Sequence, residues 1–345
     1  MEKFIKIVVD GYGGDNAPLS VVCGCIDAIN KFSDLKIVLV GKEEELKKLL
    51  TENGYNGDRI EIVNATEVIT NDDVPTHAIR QKKDSSLVVA IDYINNATEE
   101  DNIGGFVSAG STGAVLTGAL LKLGRLEGIK RPALAPPLPN KKGGKTLLID
   151  CGANMDSKPE FLCQFALMGT IYMQKMFGVE NPRVALLNVG VEDKKGNELT
   201  HAAFPMLKEM KNINFVGNME ARDLLSGDYD VVVTDGFAGN VALKTLEGTG
   251  LYILSTLKKE IKQGGLRAKI GYLFMKKALK NLKEPLDFNK IGGSAFLGCK
   301  KVVIKSHGSS DRVAILGSIS LCKSIYESKF VEDLGIELAK IENQE

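Results

Sequence analysis

Ile5-Lys-Ile-Val-Val9, Asp10-Gly-Tyr-Gly-Gly-Asp-Asn-Ala-Pro18 and Leu19–Phe32 follow one another near the amino terminus. They read as a β-branched run, a glycine-rich turn and a helical stretch. The same succession returns down the chain. Ile103–Ser108 passes through Ala109-Gly-Ser-Thr-Gly113 into Ala114–Leu123, and Thr146–Asp150 passes through Cys151-Gly-Ala-Asn-Met-Asp-Ser157 into Pro159–Phe177. Val184–Asn188 precedes a polar loop and a helix near 200–210. Asp230–Thr234 leads through Asp235-Gly-Phe-Ala-Gly-Asn240 into Val241–Leu257, and Val302–Lys305 leads through Ser306-His-Gly-Ser-Ser-Asp311 into Arg312–Tyr326. Further strands are expected at Lys36–Val40 and Ile60–Asn64, and a helix at 85–97. Strands alternating with helices imply a mostly parallel, doubly wound sheet with helices on both faces. In such sheets ligands bind outside the carboxyl ends of the strands. The glycine-rich loops would therefore gather in one place, in a single α/β domain covering 1–345, with room for a cleft dividing it into two lobes.

One segment breaks the rhythm. Lys258, Lys259, Lys262, Arg267, Lys269, Lys276, Lys277, Lys280 and Lys283 face the single acid Glu260, with Ile270, Leu273, Phe274, Leu279 and Leu282 interleaved near helical spacing. Gly264-Gly265 divides the stretch, so 258–283 reads as a basic helical hairpin inserted in the domain. It is either a solvated face or a projecting surface for anionic lipid or an acidic partner, with Lys269, Phe274, Lys276 and Lys277 as candidate contacts.

The bulk numbers remove several classes. Of 345 residues, 44 are Lys or Arg and 44 are Asp or Glu, so net charge gives no reason to expect nucleic acid. The six cysteines are scattered in apolar runs with no Cys-x-x-Cys pair, which fits buried thiols in a reducing cytosol. Neither a signal-peptide layout nor an apolar stretch long enough to span a bilayer stands out. A cytoplasmic protein, at most touching a membrane surface, is expected. Only His77, His201 and His307 are present, without metal-ligand spacing, so no metal and no cofactor is expected.

Gly110-Ser111-Thr112-Gly113 opens a helix and would aim backbone N–H groups and two hydroxyls at one point, which suits an anion; a tight turn would use the same glycines. Asp235-Gly-Phe-Ala-Gly-Asn240 and Ser306-His-Gly-Ser-Ser310 offer similar donors. The nucleotide signatures fail. Gly11-Tyr-Gly13-Gly14-Asp-Asn16 lacks the third glycine of the dinucleotide fingerprint, and Gly144-Lys145-Thr146 has Pro139 where a P-loop needs glycine. Ala109-Gly-Ser111-Thr-Gly113 narrowly misses a serine nucleophile elbow, which keeps a covalent acyl-serine open. His307, in a strand-to-helix loop, is a candidate for acid/base work or phosphate contact.

An ordered set of motifs resembles the phosphate acyltransferases of bacterial phospholipid synthesis. It comprises Asp10 with Gly13-Gly-Asp-Asn-Ala-Pro18, Ser108-Ala-Gly-Ser-Thr-Gly113, Asp150-Cys-Gly-Ala-Asn154 and Lys194-Lys-Gly-Asn-Glu198. Gly217-Asn-Met-Glu220, Thr234-Asp-Gly-Phe-Ala-Gly-Asn240 and His307-Gly-Ser-Ser310 complete it. The set spans essentially the whole chain. Tyr12 stands where the family usually has methionine, and Val191-Glu-Asp193 replaces a Gly-Glu-Glu stretch. The resemblance implies a homodimeric, metal-independent αβα enzyme, similar in fold to phosphate acetyltransferases and isocitrate-type dehydrogenases. It would move a fatty acyl group from acyl carrier protein to inorganic phosphate. The acyl phosphate would pass to a membrane glycerol-3-phosphate acyltransferase, with the basic hairpin steering the acidic carrier or touching the membrane. On that basis Gly110, Ser111, Thr112 and Gly113 would hold phosphate. Lys195, Asn240, His307 and Asp235 would be catalytic, and Asp10, Asp15, Asn16 and Asn154 would line the site. Rival readings are a short acyl-CoA phosphate acyltransferase, a metal- and nicotinamide-dependent decarboxylating dehydrogenase, and a non-catalytic lipid-surface scaffold.

Overall fold

A computed structural model describes residues 4–286 and 292–342, with side chains described through 282 in the first span and 340 in the second. The side chain of Lys283, last of the basic run, lies outside the described residues. The strand-loop-helix repeats form close to where expected, except that Gly236–Asn240 is the first turn of a helix capped by Asp235 rather than a loop, and the strands divide between two sheets. The larger sheet has seven strands. Those numbered in chain order are β1 (Ile5–Asp10), β2 (Leu35–Gly41), β3 (Ile60–Asn64), β4 (Ile103–Ser108), β5 (Ala133–Ala135), β11 (Ser294–Leu297) and β12 (Val303–Lys305). Their spatial order is β3-β2-β1-β4-β12-β11-β5, parallel through β12 and antiparallel at β11 and β5. The smaller sheet runs β6-β7-β10-β8-β9, from β6 (Pro137–Pro139), β7 (Lys145–Ile149), β8 (Arg183–Asn188), β9 (Asn214–Glu220) and β10 (Val231–Val233). Only β6 is antiparallel to its neighbour there.

Central strands read as unbroken apolar runs because both faces are covered. On β1, Ile7 and Val9 point into one buried cluster and Val8 into the other. Helices α1 (Leu19–Lys31) and α10 (Arg312–Glu327) bring Val22, Cys25 and Ile315 to the first face, and α4 (Ser86–Asn96) brings Leu87 and Ile91 to the second. In the smaller sheet, α6 (Pro159–Phe177) covers Leu147, Val231 and Val233 with Leu162, Phe165 and Met168. Burying a side chain of this size contributes about 1.5–3 kcal/mol. The remaining helices are α2 (Glu43–Glu52), α3 (Pro75–Gln81), α5 (Thr112–Gly118), α7 (Glu198–Glu209), α8 (Gly236–Gln263), α9 (Gly265–Leu286) and α11 (Phe330–Glu342).

The basic segment proves to be part of something longer. Helix α8 runs unbroken for 28 residues from Gly236, about 40 Å, so its first turns wall the smaller sheet and its last turns leave it. Asp235 caps its start by accepting from the Phe237 and Ala238 amides at 3.0 and 2.9 Å. Gly265, at φ +69°, lets the chain reverse into α9. Along the arms Leu251, Tyr252, Leu266, Leu273 and Phe274 are exposed, Phe274 to 86%.

Helix α8 can approach β7 closely because residue 239 is glycine. A Cβ there would lie 1.9 Å from the Asp150 carbonyl oxygen. Gly239→Ala should therefore cost at least about 3 kcal/mol by overpacking. Urea unfolding of the variant should show the midpoint moved down accordingly.

Candidate active site

Asp10, at the end of β1, is buried and accepts from Ser86 Oγ at 2.6 Å, Ser108 Oγ at 2.7 Å and the Tyr12 amide at 3.2 Å. Burial pushes its carboxyl above the ordinary 3.8, and the Ser86 and Ser108 bonds oppose that. Ser108 Oγ in turn accepts from the Gly110 amide at 3.0 Å. One carboxylate thus fixes the turn after β1 and the glycine-rich loop after β4. Gly13 sits inside this knot, where a Cβ would lie 2.6 Å from the Gly110 nitrogen and 2.7 Å from Asp10 Oδ2. The next residues reach further. The Asp15 amide donates to Gly308 O at 2.7 Å, and Asn16 Nδ2 donates to Ser309 O at 3.0 Å and Ser310 O at 3.3 Å.

The smaller sheet repeats the device. Asp150, after β7, is buried and accepts from the amides of Leu134, Ala153 and Asn154 and from Asn154 Nδ2, at 2.7–3.1 Å. Burial raises its carboxyl as well. Asn154 also donates to Pro132 O at 2.8 Å, and its carbonyl accepts from the Gly236 amide at 2.8 Å, which ties this loop to the start of α8.

Between the two sets of loops lies a cavity of about 400 Å³. From the larger sheet come Thr112 and Gly113 at the start of α5, Gly293, and Lys305, Ser306, His307 and Ser310 after β12. From the smaller sheet come Cys151, Gly152 and Met155, and from α8 Asn240, Leu243, Lys244 and Glu247. Lys244 Nζ pairs with Glu247 at 2.7 Å and lies 3.5 Å from His307 Nε2, while His307 Nδ1 meets Ser309 Oγ at 2.8 Å. Burial, and secondly the Lys244 charge, lowers His307 below the ordinary 6.5, so the ring is neutral at pH 7. Lys305 is 8% exposed, and its ammonium donates to the Ser306 carbonyl. Burial, then Lys244, bring it from 10.5 to about 8 against the opposing charge of Asp15. Burial holds the Cys151 thiol well above its usual range, so it is no thiolate nucleophile. Among the described residues Ser111 Oγ has no hydrogen bond to a histidine or carboxylate, as an activated nucleophile would require. No group of three or more His, Cys, Asp or Glu side chains among them is placed to hold a metal.

The residues singled out from sequence separate into four sets. Thr112, Gly113, Asn240 and His307 meet in the cavity, with Gly110 and Ser111 leading into it. Asp10, Asp15, Asn16 and Asn154 stand behind it and position its loops. Lys195 is exposed on the loop after β8, and its neighbours Gly196 and Asn197 line a second cavity of about 830 Å³. Asp235 lines that cavity too, with its carboxylate engaged as the α8 cap. This larger cavity lies across α8 from the first and is mostly apolar, walled by Leu187, Phe237, Val241 and Leu246. Lys269, Phe274, Lys276 and Lys277 sit exposed on α9, away from both. Lys244, Glu247 and Lys305 were not singled out from sequence. Lysine at a strand's carboxyl end, just before a glycine-containing loop, was the available signal for Lys305.

The chain matches the fatty acid synthesis protein family over residues 5–333. It is 46% identical over 338 residues to a phosphate acyltransferase of Clostridium tetani, covering 98% of this chain and 99% of that one. Among solved structures it superposes on a phosphotransacetylase from Streptococcus pyogenes with a TM-score of 0.58 at 18% identity, over 95% and 94% of the two chains. A branched-chain phosphotransacylase from Enterococcus faecalis gives 0.57 at 14% identity, over 94% and 99%. These two likenesses establish a shared α/β fold.

Asp10→Asn would place an amide where two hydroxyls and a backbone N–H donate. Loss of about 1–3 kcal/mol in urea unfolding is expected, together with loss of activity. Lys305 sets a pH slope. Its folded value lies near 8 and its unfolded value near 10.5, so the unfolded chain holds more protons between them and stability rises with pH across that window. Unfolding free energies from pH 8 to 10.5 should rise by up to about 3 kcal/mol more in the wild type than in Lys305→Met.

Proposed function

The chain belongs to the fatty acid synthesis protein family and is an acyltransferase, and from that premise we propose that it transfers a fatty acyl group from acyl carrier protein to inorganic phosphate. Identity of 46% along nearly the full length of a phosphate acyltransferase is the observation that carries this reading. The cavity chemistry agrees with it. Dianionic phosphate attacks the thioester carbonyl directly, forming the O–C bond as the C–S bond breaks, and the proton of hydrogen phosphate ends on the departing thiol. The start of α5 at Thr112 and Gly113 presents helix N-terminal amides to the anion. Asn240 is placed to donate its side-chain N–H to the carbonyl oxygen as charge develops there. His307, neutral beside Lys244, can receive the phosphate proton and pass it to sulfur. Asp235, which lines the second cavity, and Lys195, exposed on the loop beside it, take no part in this step.

Reversible transfer, a homodimer and a supply of acyl phosphate for glycerol-3-phosphate acylation at the membrane complete the proposal. The exposed apolar and basic side chains of α8 and α9, including Lys269, Phe274, Lys276 and Lys277, suit contact with a second copy, an acidic carrier protein or an anionic lipid surface. No helix among the described residues is long and apolar enough to cross a membrane.

Purified protein mixed with palmitoyl-carrier protein and phosphate, without added metal, should release free thiol and acyl phosphate in equal amounts, and only when phosphate is present. Asn240→Ala should lower turnover roughly 100-fold, the usual consequence of losing one oxyanion donor. Turnover only with acetyl- or butyryl-CoA would move the protein to short-chain transfer. Inertness toward every thioester would overturn the reading.

A further inference from the structure

Two ammonium groups line the first cavity, and their surroundings differ. Lys244 is about half exposed and neutralised by Glu247 at 2.7 Å. Lys305 is enclosed, yet no carboxylate among the described residues forms an ion pair with it. Its one partner among the described residues is the Ser306 carbonyl, which leaves two of its three N–H donors for a ligand. A buried charge is expensive unless it is paired. An ammonium that is enclosed, unpaired and facing a cavity is therefore arranged for an anion that arrives from outside.

We propose that Lys305 is the phosphate-binding cation of this site, in place of Lys195, which sequence analysis made a catalytic candidate. The inference rests on the acyl-transfer reading above and adds a residue to it. Strand register supports the assignment. Lys305 pairs with Ser108 on the neighbouring β4, and the Ser306 amide donates to Ser108 O at 2.9 Å. Lys305 and the Gly110–Gly113 loop therefore leave the same sheet edge on adjacent strands, and Thr112 and Gly113 line the same cavity. The strand end that carries it is also held in place. Gly293, opposite, is so close that a Cβ would lie 2.7 Å from the Lys305 carbonyl oxygen, and Ser306, Ser310 and Ser318 hold the following turn through hydroxyl contacts of 2.7 and 2.9 Å. Lys244 and Asp15 act on it with opposite sign, and its own charge bears on His307. Glu247 pairs with Lys244 at 2.7 Å, so Lys305 is the cavity ammonium left for an incoming anion. Bound phosphate keeps Lys305 protonated, and affinity for phosphate should fall as pH rises past 8 in the free protein.

Titration of the full-length protein with inorganic phosphate alone, read by calorimetry, tests this without any thioester. Lys305→Met should weaken phosphate binding roughly 10–100-fold. Lys305→Arg should restore part of it, and the fall in affinity above pH 8 should be absent from the Met variant. Affinity unchanged in Lys305→Met, or lost in Lys195→Met instead, would overturn the proposal. Should the Met variant fail to fold, lysine labelled with carbon-13 at Cε in the wild type serves instead, with the Lys305 signal identified by its absence from Lys305→Arg. That signal should titrate near pH 8 and move upward when phosphate is added; a signal indifferent to phosphate would sink the idea. Phosphate binding through Lys305 without thiol release would leave this inference standing and remove the acyl-transfer reading. Phosphate-dependent thiol release with full phosphate affinity in Lys305→Met would do the reverse.

Discussion

The buried carboxylate of Asp10 is the constraint on which the cavity depends. Burying a charge of this kind costs several kcal/mol unless hydrogen bonds replace the lost water. Here the replacements come from Ser86 on α4, Ser108 on β4 and the turn after β1 itself. Segments separated by about a hundred residues are thereby fixed to one pair of oxygens. Because Ser108 also receives the Gly110 amide, the conformation of the glycine-rich loop follows from where Asp10 stands. Asp15 and Asn16 then carry the same restraint to residues 308–310. Three loops from three strands become one rigid rim.

Asp150 does for the smaller sheet what Asp10 does for the larger, and the cavity forms where the two rims face each other. Its polar character comes from both sides, with Lys305 and His307 from one and Asn240, Lys244 and Glu247 from the other. The spacing of the α8 residues explains how one helix serves two cavities. Residues 240, 244 and 247 fall on one face, whereas 238, 242, 245 and 249 fall on the opposite face and line the larger apolar space.

Much of this was legible in the residues. The alternation of β-branched runs, glycine-rich turns and helical stretches points to the fold class, and Asp10, Asn16 and Asn154 stand out because they fall in the motifs that carry the family resemblance. The division into two sheets was not legible. Strand partners are chosen by long-range packing, and three-residue strands such as β10 and β12 carry too little local pattern to say which neighbour they take. Lys195 looked catalytic from its motif, yet its loop opens toward the second cavity. Lys244 and Glu247, three residues apart on a helix, carry no local mark that separates them from an ordinary surface ion pair; the fold turns them into the cavity. Lys305 carries no local sign of burial, because a lysine at a strand end is usually solvated, and only the packing around β12 encloses it.

Helix α8 also links the chemistry to the outside of the molecule. Its first turns are locked against β7 by Gly239, and its last turns form one arm of the exposed hairpin, with no break in between. One continuous hydrogen-bonded helix therefore joins the cavity wall to the exposed arm. Whatever covers Leu251, Tyr252 and Phe274 therefore bears on the same element that carries Asn240 and Lys244. The glycine contact at the inner end holds that element still. Side-chain amides and ammonium groups act on a developing charge only when they are already in place, so a wall helix anchored at its start and free at its far end keeps the reacting groups fixed while exposing a surface for partners.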